Sequence, residues 1–242
     1  MSIKAMLFDL DGTLLPMDQD EFVRAYIGGL AASAAKRGFN PEKMASAVMA
    51  GTAAMFKNDG SVTNEECFWR AACGVVGDKI REETELFDDF YREEFDKLSV
   101  TCGNTPEARK IIDLIHARGF RVALATNPLF PAVATAKRIR WAGLKSEDFE
   151  LVTSYEGSHF TKPNPDYYRE VLSVLGLSPE ECVMVGNDVD EDMIAKALGM
   201  KVFLLTNELI NRSGTDIDDF PHGGFGELAE FIENLGKAQA EI

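Results

Sequence analysis

Between residues 105 and 235 the sequence alternates short apolar runs with amphipathic segments, and this alternation restricts the fold more than any other feature. The apolar runs predict strands at 120–126, 151–152, 182–185 and 202–205. Helices are predicted around them at 106–119, 132–142, 166–175, 190–198 and 225–235. Near-continuous apolar strands separated by helices are typical of a parallel sheet that is covered on both faces. We therefore predict an α/β protein with a Rossmann-like, doubly wound parallel sheet.

Residues 16–99, called the helical segment below, lack this alternation and carry apolar residues at helical spacing. Helices are predicted at 21–37, 41–56, 65–75 and 85–98, the third with Asn64 as its N-cap. We interpret the segment as an inserted all-helical domain with a core of its own, the α/β domain being residues 1–15 and 100–242. Residues 211–224, rich in Gly, Ser, Asp and Pro, predict a flexible surface loop.

The charge of the chain argues against two classes of partner. Its formal net charge is -15 over 242 residues, whereas affinity for nucleic acid or an anionic membrane comes largely from Lys and Arg. No apolar run approaches the ~20 residues that cross a bilayer. The four cysteines have no metal-binding spacing, which favours reduced thiols and a cytoplasmic protein. We expect neither nucleic acid nor a membrane as a partner.

Two carboxylates stand where the first predicted strand, Ala5–Phe8, ends. Asp9 and Asp11 are two residues apart, so their side chains point the same way in an extended chain. Gly12 then allows a sharp turn. Acids this close repel each other unless a proton or a cation lies between them, and an oxygen-preferring cation such as Mg²⁺ is the usual solution. The alternative is a simple turn, in which Asp-Gly is common.

Polar groups recur at three later points of the alternating region. Thr126 and Asn127 end the second strand with a hydroxyl and an amide, which can hydrogen-bond an oxyanion. Lys162 opens the sequence Lys-Pro-Asn-Pro just before a helix, and the two prolines that follow it restrict the backbone. Carboxylate and amide groups gather between Gly186 and Asp192. A turn, a solvated lysine and an acidic helix start are the simpler explanations. In a parallel sheet, however, ligands bind beyond the carboxyl ends of the strands.

These four stretches resemble, in order, the four motifs of the haloacid dehalogenase superfamily, beginning with Phe-Asp-Leu-Asp-Gly-Thr-Leu at residues 8–14. The resemblance covers residues 1–15 and about 100–207. An all-helical insert directly after the first motif is similar to the phosphoglycolate phosphatase and β-phosphoglucomutase branches. The resemblance implies a Mg²⁺-dependent phosphohydrolase that cleaves a small phosphorylated metabolite through an aspartyl-phosphate.

The resemblance also implies catalytic and phosphate-binding roles. Asp9 would be the nucleophile, and Asp11 would protonate the leaving alcohol and then take a proton from water. Thr126 and Lys162, with Asn127, would bind the phosphoryl group. Lys162 would in addition neutralise charge on the nucleophile and the phosphoryl oxygens.

For the metal, the resemblance implies the Asp9 carboxylate, the Asp11 carbonyl and an acid of the fourth motif. In the commonest form of that motif the acid follows Gly directly, whereas here Asn187 does. Asp188 is therefore the expected direct ligand, with Asn187 as the alternative. Asp192 would be a second or water-mediated ligand.

The same residues bear on several other functions. Asp11 argues against carbon-halogen cleavage, because dehalogenases generally lack the second aspartate, and phosphonatases typically carry Ala there. A phosphosugar mutase keeps the same core residues and stays an alternative, as does a non-catalytic phospho-ligand-binding protein. Phospho-accepting receiver domains are much shorter and lack the helical insert. Residues that could contact a leaving group, although packing or solvation is the commoner role, are Asp18, Arg24, Tyr26 and Arg70.

Overall fold

The computed structural model, which describes residues 2–240, contains a six-stranded parallel sheet in the order β3-β2-β1-β4-β5-β6. The strands are β1 (Ala5–Phe8), β2 (Arg121–Leu124), β3 (Leu151–Val152), β4 (Cys182–Gly186), β5 (Lys201–Leu205) and β6 (His222–Gly223). Phe8 of β1 pairs with Leu124 of β2 and with Val185 of β4. The strand order reverses at β1, which confirms the predicted doubly wound sheet.

Helices cover the sheet and form most of the region between β1 and β2. They are α1 (Gln19–Lys36), α2 (Pro41–Met55), α3 (Asn64–Val76), α4 (Thr84–Asp89), α5 (Pro106–Ala117), α6 (Ala132–Trp141), α7 (Pro165–Leu175) and α8 (Phe225–Ala240). Met6 and Phe8 of β1 contribute to one hydrophobic cluster, and Ala5 and Leu7 contribute to another. Because neighbouring strand residues point to opposite faces, both faces of the sheet are buried.

Helix α3 begins one residue earlier than predicted, and Asn64 is not its N-cap. The Thr63 hydroxyl accepts a hydrogen bond from the Glu66 N–H at 3.3 Å instead. The Asn64 side chain is buried and donates to the carbonyl of Phe160 at 3.1 Å. Asn64 therefore ties the helical segment to the α/β region.

The predicted helix over 85–98 is wrong beyond Asp89. After α4 the chain makes one π turn, Phe90–Glu94, and then a 3₁₀ segment, Phe95–Thr101. A π turn brings residues five apart onto one side, and Phe90 and Phe95 are both fully buried, with ring centroids 6.1 Å apart. Packing these rings inward overrides regular helical geometry.

The predicted helix over 190–198 is also shorter and tighter than expected, because only Met193–Leu198 is helical, as a 3₁₀ segment. The Asp188 carboxylate accepts hydrogen bonds from the N–H groups of Asp190 and Glu191, at 2.9 and 3.0 Å. Such side-chain bonds give the backbone an alternative to a helix.

The helical segment does not have a core of its own. Phe22 of α1 lies 5.8 Å from Phe130 and 6.5 Å from Trp141, ring centroid to ring centroid. Its buried aromatic residues belong to the same cluster as Met6 and Phe8 of β1. The segment and one face of the sheet therefore share one continuous interior.

The flexible loop predicted over 211–224 is wrong at its end, where β6 pairs with β5 through His222 and Leu204. Local side-chain hydrogen bonds order the preceding residues. Asn211 donates to the carbonyl of Thr215 at 2.9 Å, and Asp216 accepts from the N–H of Asp218 at 3.1 Å. None of the helices within residues 2–240 is long and apolar enough to cross a membrane.

Candidate active site

Asp9 lies directly after β1, at the edge where the strand order reverses. Its N–H donates to the carbonyl of Val185 in β4 at 2.9 Å, which fixes its backbone between two strands. The carboxylate is buried, and its Oδ1 accepts a hydrogen bond from Lys162 Nζ at 2.9 Å. The sheet thus presents one firmly held carboxylate at the edge where α/β sheets bind ligands.

The turn after Asp9 brings Thr13 and Asn187 into the site. The Thr13 hydroxyl lies 3.0 Å from Asn187 Oδ1 and 3.4 Å from Asp9 Oδ2. Gly12 has a φ of +83°, and a Cβ there would lie 2.3 Å from Asn187 Nδ2. Only glycine permits both this backbone conformation and the close approach of Asn187.

Lys162 is the buried cation of the site. Its Nζ lies 2.9 Å from Asp9 Oδ1 and 2.6 Å from Asp192 Oδ1, and the residue has no exposed surface. Burial alone would lower the pKa of Lys162, but the two carboxylates outweigh it and raise the pKa well above its usual value. Lys162 is therefore a permanent positive charge between two acids.

Thr126 and Asn127 follow β2 and line the same cavity as Asp9. The Thr126 carbonyl accepts from Thr153 Oγ1 at 2.7 Å and from the Tyr167 hydroxyl at 2.9 Å, so its backbone is held on two sides. Asn127 Oδ1 accepts from the Lys162 N–H at 3.2 Å, and Asn127 Nδ2 donates to Glu191 Oε2 at 3.0 Å. Asn127 therefore links the ends of β2 and β4.

The three candidate metal ligands of the fourth motif have different hydrogen-bond partners. Asn187 Oδ1 faces Thr13, as described above. Asp188 is buried and lines the cavity, and its Oδ2 accepts from Arg212 Nη1 at 2.7 Å. Asp192 binds Lys162 through Oδ1 and the Asp188 N–H through Oδ2, the latter at 3.0 Å. Gly186 is required here, because a Cβ on it would lie 2.0 Å from Asp192 Oδ2.

The oxygen atoms around Asp9 fit a small, hard cation. Asp9 Oδ2 and Asn187 Oδ1 both lie within hydrogen-bond distance of the Thr13 hydroxyl, so the two oxygens are neighbours, and oxygen donors are what Mg²⁺ prefers. Within residues 2–240, no three His, Cys, Asp or Glu side chains converge as a metal site. A cation here would therefore depend on the Asn187 amide and on backbone oxygen in addition to Asp9.

Asp11 has a partner that the sequence analysis missed. Arg138 of α6 is fully buried, forms an ion pair with Asp11 Oδ2, and lies 4.4 Å from the centre of the Phe130 ring. Burial raises the pKa of Asp11, and Arg138 opposes that shift. Asp11 Oδ1 and Arg138 Nε are buried without a hydrogen-bond partner. One feature of the sequence could have identified Arg138: it lies four residues after Ala134 and therefore on the buried face of the helix.

The sequence analysis also did not identify Arg212 as a site residue, because Arg212 lies in the segment predicted as a loop. It reaches the site after Ile210, whose N–H donates to the carbonyl of Asn187 at 2.9 Å. No periodic pattern marks it, so no local signal could have identified it.

A cavity of about 240 Å³ opens at these residues, between the sheet edge and the helical segment. The strand-end side contributes Asp9, Asp11, Thr126, Asn127, Asn187, Asp188, Glu191 and Asp192. The helical side contributes Gln19, Phe22, Val23 and Phe56. Burial raises the pKa of Glu191 to about 7. Most of the predicted site residues thus share one cavity, and Lys162 stands behind it in contact with Asp9.

The four residues considered for leaving-group contact do not line this cavity. Asp18 caps α1, its Oδ1 accepting from the Glu21 N–H at 2.9 Å. Tyr26 is buried, with its hydroxyl 2.9 Å from that of Tyr91. Arg70 pairs with Glu66 on the surface, and Arg24 is exposed. Their simpler packing and surface roles are the ones the structure shows.

The site thus consists of a buried aspartate beside a buried lysine, at the edge where a doubly wound α/β sheet binds ligands. Residues 3–199 match the sequence model of the haloacid dehalogenase-like hydrolases. The chain belongs to this family, and it is a hydrolase of the phosphatase type. This confirms the resemblance read from the four motifs.

The chain is similar to proteins named as phosphatases over nearly its whole length. It is 25% identical to a glyceraldehyde 3-phosphate phosphatase of Methanocaldococcus jannaschii, over 97% of this chain and 99% of that protein. It is also 25% identical to a phosphoglycolate phosphatase of Aquifex aeolicus, over 96% and 98%. A 2-haloacid dehalogenase of Pseudomonas syringae shares the fold, with a TM-score of 0.64 and 18% identity over 96% and 99%.

Proposed function

We propose that this chain is a Mg²⁺-dependent phosphohydrolase that cleaves a small phosphate monoester through an aspartyl-phosphate on Asp9. The observation that carries the proposal is the buried Asp9 carboxylate, held by Lys162 at 2.9 Å and lining a cavity of about 240 Å³. The relatives named as phosphatases of small phosphorylated metabolites support the same substrate class.

In the first step, an Asp9 oxygen forms a bond to phosphorus and the bond from phosphorus to the ester oxygen breaks. Asp11 gives its proton to the departing alkoxide, so the product is a neutral alcohol. In the second step, water attacks phosphorus and releases Asp9, while Asp11 takes the proton from that water. Inorganic phosphate leaves, and both aspartates return to their starting states.

Lys162, Thr126 and Asn127 would bind the transferring phosphoryl group. Lys162 offsets the negative charge that accumulates when a phosphate approaches Asp9. Since Asn127 also accepts a hydrogen bond from the Lys162 backbone, it ties the end of β2 to the loop that carries Lys162. Burial of these groups keeps bulk water from screening them.

The magnesium ligands we propose are the Asp9 carboxylate, the Asp11 carbonyl and one residue of the fourth motif. Asn187 is the better candidate for that residue, because its Oδ1 lies beside Asp9 Oδ2 with the Thr13 hydroxyl as its hydrogen-bond donor, whereas the two Asp188 oxygens accept from two N–H groups and from Arg212. Asp192 would act indirectly, through Lys162 and the Asp188 backbone. When bound, the cation would neutralise charge on the phosphoryl oxygens.

Arg138 would position Asp11. It anchors Oδ2 and leaves Oδ1 without a partner, so Oδ1 is the oxygen that can carry the proton. The helical segment would act as a cap over the cavity, to which it contributes Phe22, Val23 and Phe56.

The test is release of inorganic phosphate from a panel of phosphate monoesters, with Mg²⁺ or with EDTA, for the native chain and Asp9→Asn. Asp113→Asn, which changes an exposed aspartate of α5, is the matched control. We expect metal-dependent release that persists in the control and disappears in Asp9→Asn. A phosphosugar mutase would move phosphate within the substrate without releasing it. A folded, Mg²⁺-binding protein that releases no phosphate would contradict the proposal.

A further inference from the structure

The part of the cavity that would hold the leaving group is apolar. Val23 of α1 and Phe56 after α2 are 42% and 47% exposed, and both line the cavity beside Asp9. Phe22, Leu129 and Phe130 continue this lining. Exposed apolar side chains that converge next to a reactive group mark a surface that a ligand covers.

The positive charges near the cavity already have acidic partners. Lys162 is held by Asp9 and Asp192, and Arg138 is held by Asp11. Arg212 lines the cavity and is paired with Asp188 at 2.7 Å. Among the residues that the structure describes, the cavity lining therefore offers no cation without an acidic partner.

The acidic residues of the lining also disfavour a second negative charge on the substrate. Five carboxylates line the cavity, against the single guanidinium of Arg212. Lys162 and a bound cation can offset the charge of one phosphoryl group. A second anionic group on the substrate would face acids and apolar rings, and placing an unpaired charge there is costly.

We propose, on the basis of the function proposed above, that the substrate is the phosphate monoester of an uncharged alcohol with an apolar face. The phosphoryl group would lie at Asp9 and Lys162, and the alcohol would lie against Val23, Phe56 and Leu129. The leaving alcohol therefore carries no carboxylate group and differs in this from glycolate, even though some relatives are named phosphoglycolate phosphatases. Arg24 and Lys57, the sequence neighbours of Val23 and Phe56, do not line the cavity.

The test compares two esters of similar size, ethyl phosphate and 2-phosphoglycolate, with Mg²⁺ held constant. We expect kcat/KM to be at least about tenfold higher for the ethyl ester, because each cation in or beside the cavity is already paired with an acid. Glycolate is the slightly better leaving group, so a preference for the ethyl ester would have to come from binding.

The second part of the test introduces a positive charge into the cavity lining. Phe56→Lys places an ammonium group beside the leaving-group position, and we expect it to raise kcat/KM for 2-phosphoglycolate relative to ethyl phosphate by about tenfold. Met49→Lys is the matched control, because Met49 is an exposed residue of α2, the helix that ends just before Phe56, and does not line the cavity. The control should leave the ratio of the two esters unchanged.

The outcomes separate the two proposals. A native preference for 2-phosphoglycolate, or equal kcat/KM values, would overturn the uncharged leaving group and leave the phosphatase intact. An unchanged ratio in Phe56→Lys would overturn the assignment of this lining to the leaving group. Failure of both esters and of p-nitrophenyl phosphate to release phosphate would overturn the phosphatase proposal itself.

Discussion

The sheet edge and the helical segment use their charged residues in opposite ways. At the sheet edge the cations Lys162 and Arg138 have no exposed surface, and their acidic partners lie in or beside the active-site cavity. In the helical segment most ion pairs lie on the surface, as between Arg37 and Glu85, whose side chains are 34% and 81% exposed. The same residue types therefore have very different energetic weight in the two regions.

Aromatic packing takes the place of buried charge in the helical segment. Phe22, Tyr26, Phe90 and Phe95 are buried, and the rings of Phe22, Tyr26 and Phe90 have centroids 6.1 or 6.2 Å from that of Phe95. The comparison suggests a division of tasks under the proposed function: desolvated charges would carry the chemistry, and apolar contacts hold the helices that cover the cavity.

The largest effect is expected from Lys162→Met. Removing the cation leaves Asp9 and Asp192 facing each other without compensation, and the phosphoryl group loses its partner. We expect kcat for phosphate release to fall about 10³-fold. The matched control is Lys137→Met, which removes the buried lysine that pairs with Asp96 of the helical segment. Activity of Lys162→Met within tenfold of the native chain would mean that the buried charge is not catalytic.

Next in size is Phe95→Ala, which tests the other half of the comparison. Phe95 has no exposed surface, so its truncation leaves a cavity among the surrounding rings. We expect a loss of about 3–4 kcal/mol in the free energy of unfolding, measured by urea denaturation. The protein that remains folded should keep the native dependence of activity on Asp9. A loss below about 1 kcal/mol would show that the rings do not hold the segment.

A smaller and more selective effect is expected from Arg138→Met. If Arg138 orients the proton donor Asp11, then esters of alkyl alcohols, which need that proton, should lose about 10²-fold in kcat. p-Nitrophenyl phosphate, whose leaving group needs no proton, should lose only a few-fold. Arg140→Met, at an exposed position of the same helix, is the control. An equal loss on both kinds of ester would indicate a purely structural role.

The smallest effect is expected from Arg37→Met in the helical segment. Arg37 pairs with Glu85 at 3.1 Å and with Asp89 at 2.7 Å, but these pairs face water. Exposed pairs contribute little, and salt screens them. We expect an unchanged unfolding midpoint at low and at high salt. A clear drop that disappears at high salt would show that surface charge does hold this segment.

The doubly wound sheet could be predicted because its strands carry their own signal. Residues 151–152 and 182–185 are apolar without interruption, and the helices between strands have regular caps such as Thr105 before Pro106. The four motifs followed from residues at strand ends, where topology forces them to meet. Asp9, Thr126 and Asn127 indeed line one cavity, and Lys162 contacts Asp9.

The remaining features depend on contacts between residues far apart in sequence. The pairing of Arg138 with Asp11 spans 127 positions, and periodicity gives only the side of the helix on which an arginine lies. The break after Asp89 results from the inward packing of Phe90 and Phe95. The strand β6 is two residues long and depends on β5 for its hydrogen bonds. Local patterns cannot identify such features.

The measurement that tests the central claim most directly is chemical trapping of the intermediate. The native chain would be mixed with a phosphate monoester and Mg²⁺, quenched with borohydride during turnover, digested and analysed by mass spectrometry. Borohydride reduces an aspartyl-phosphate to homoserine, so we predict homoserine at position 9 only when both substrate and Mg²⁺ are present. Continued turnover with unmodified Asp9, or homoserine at another aspartate, would contradict the account.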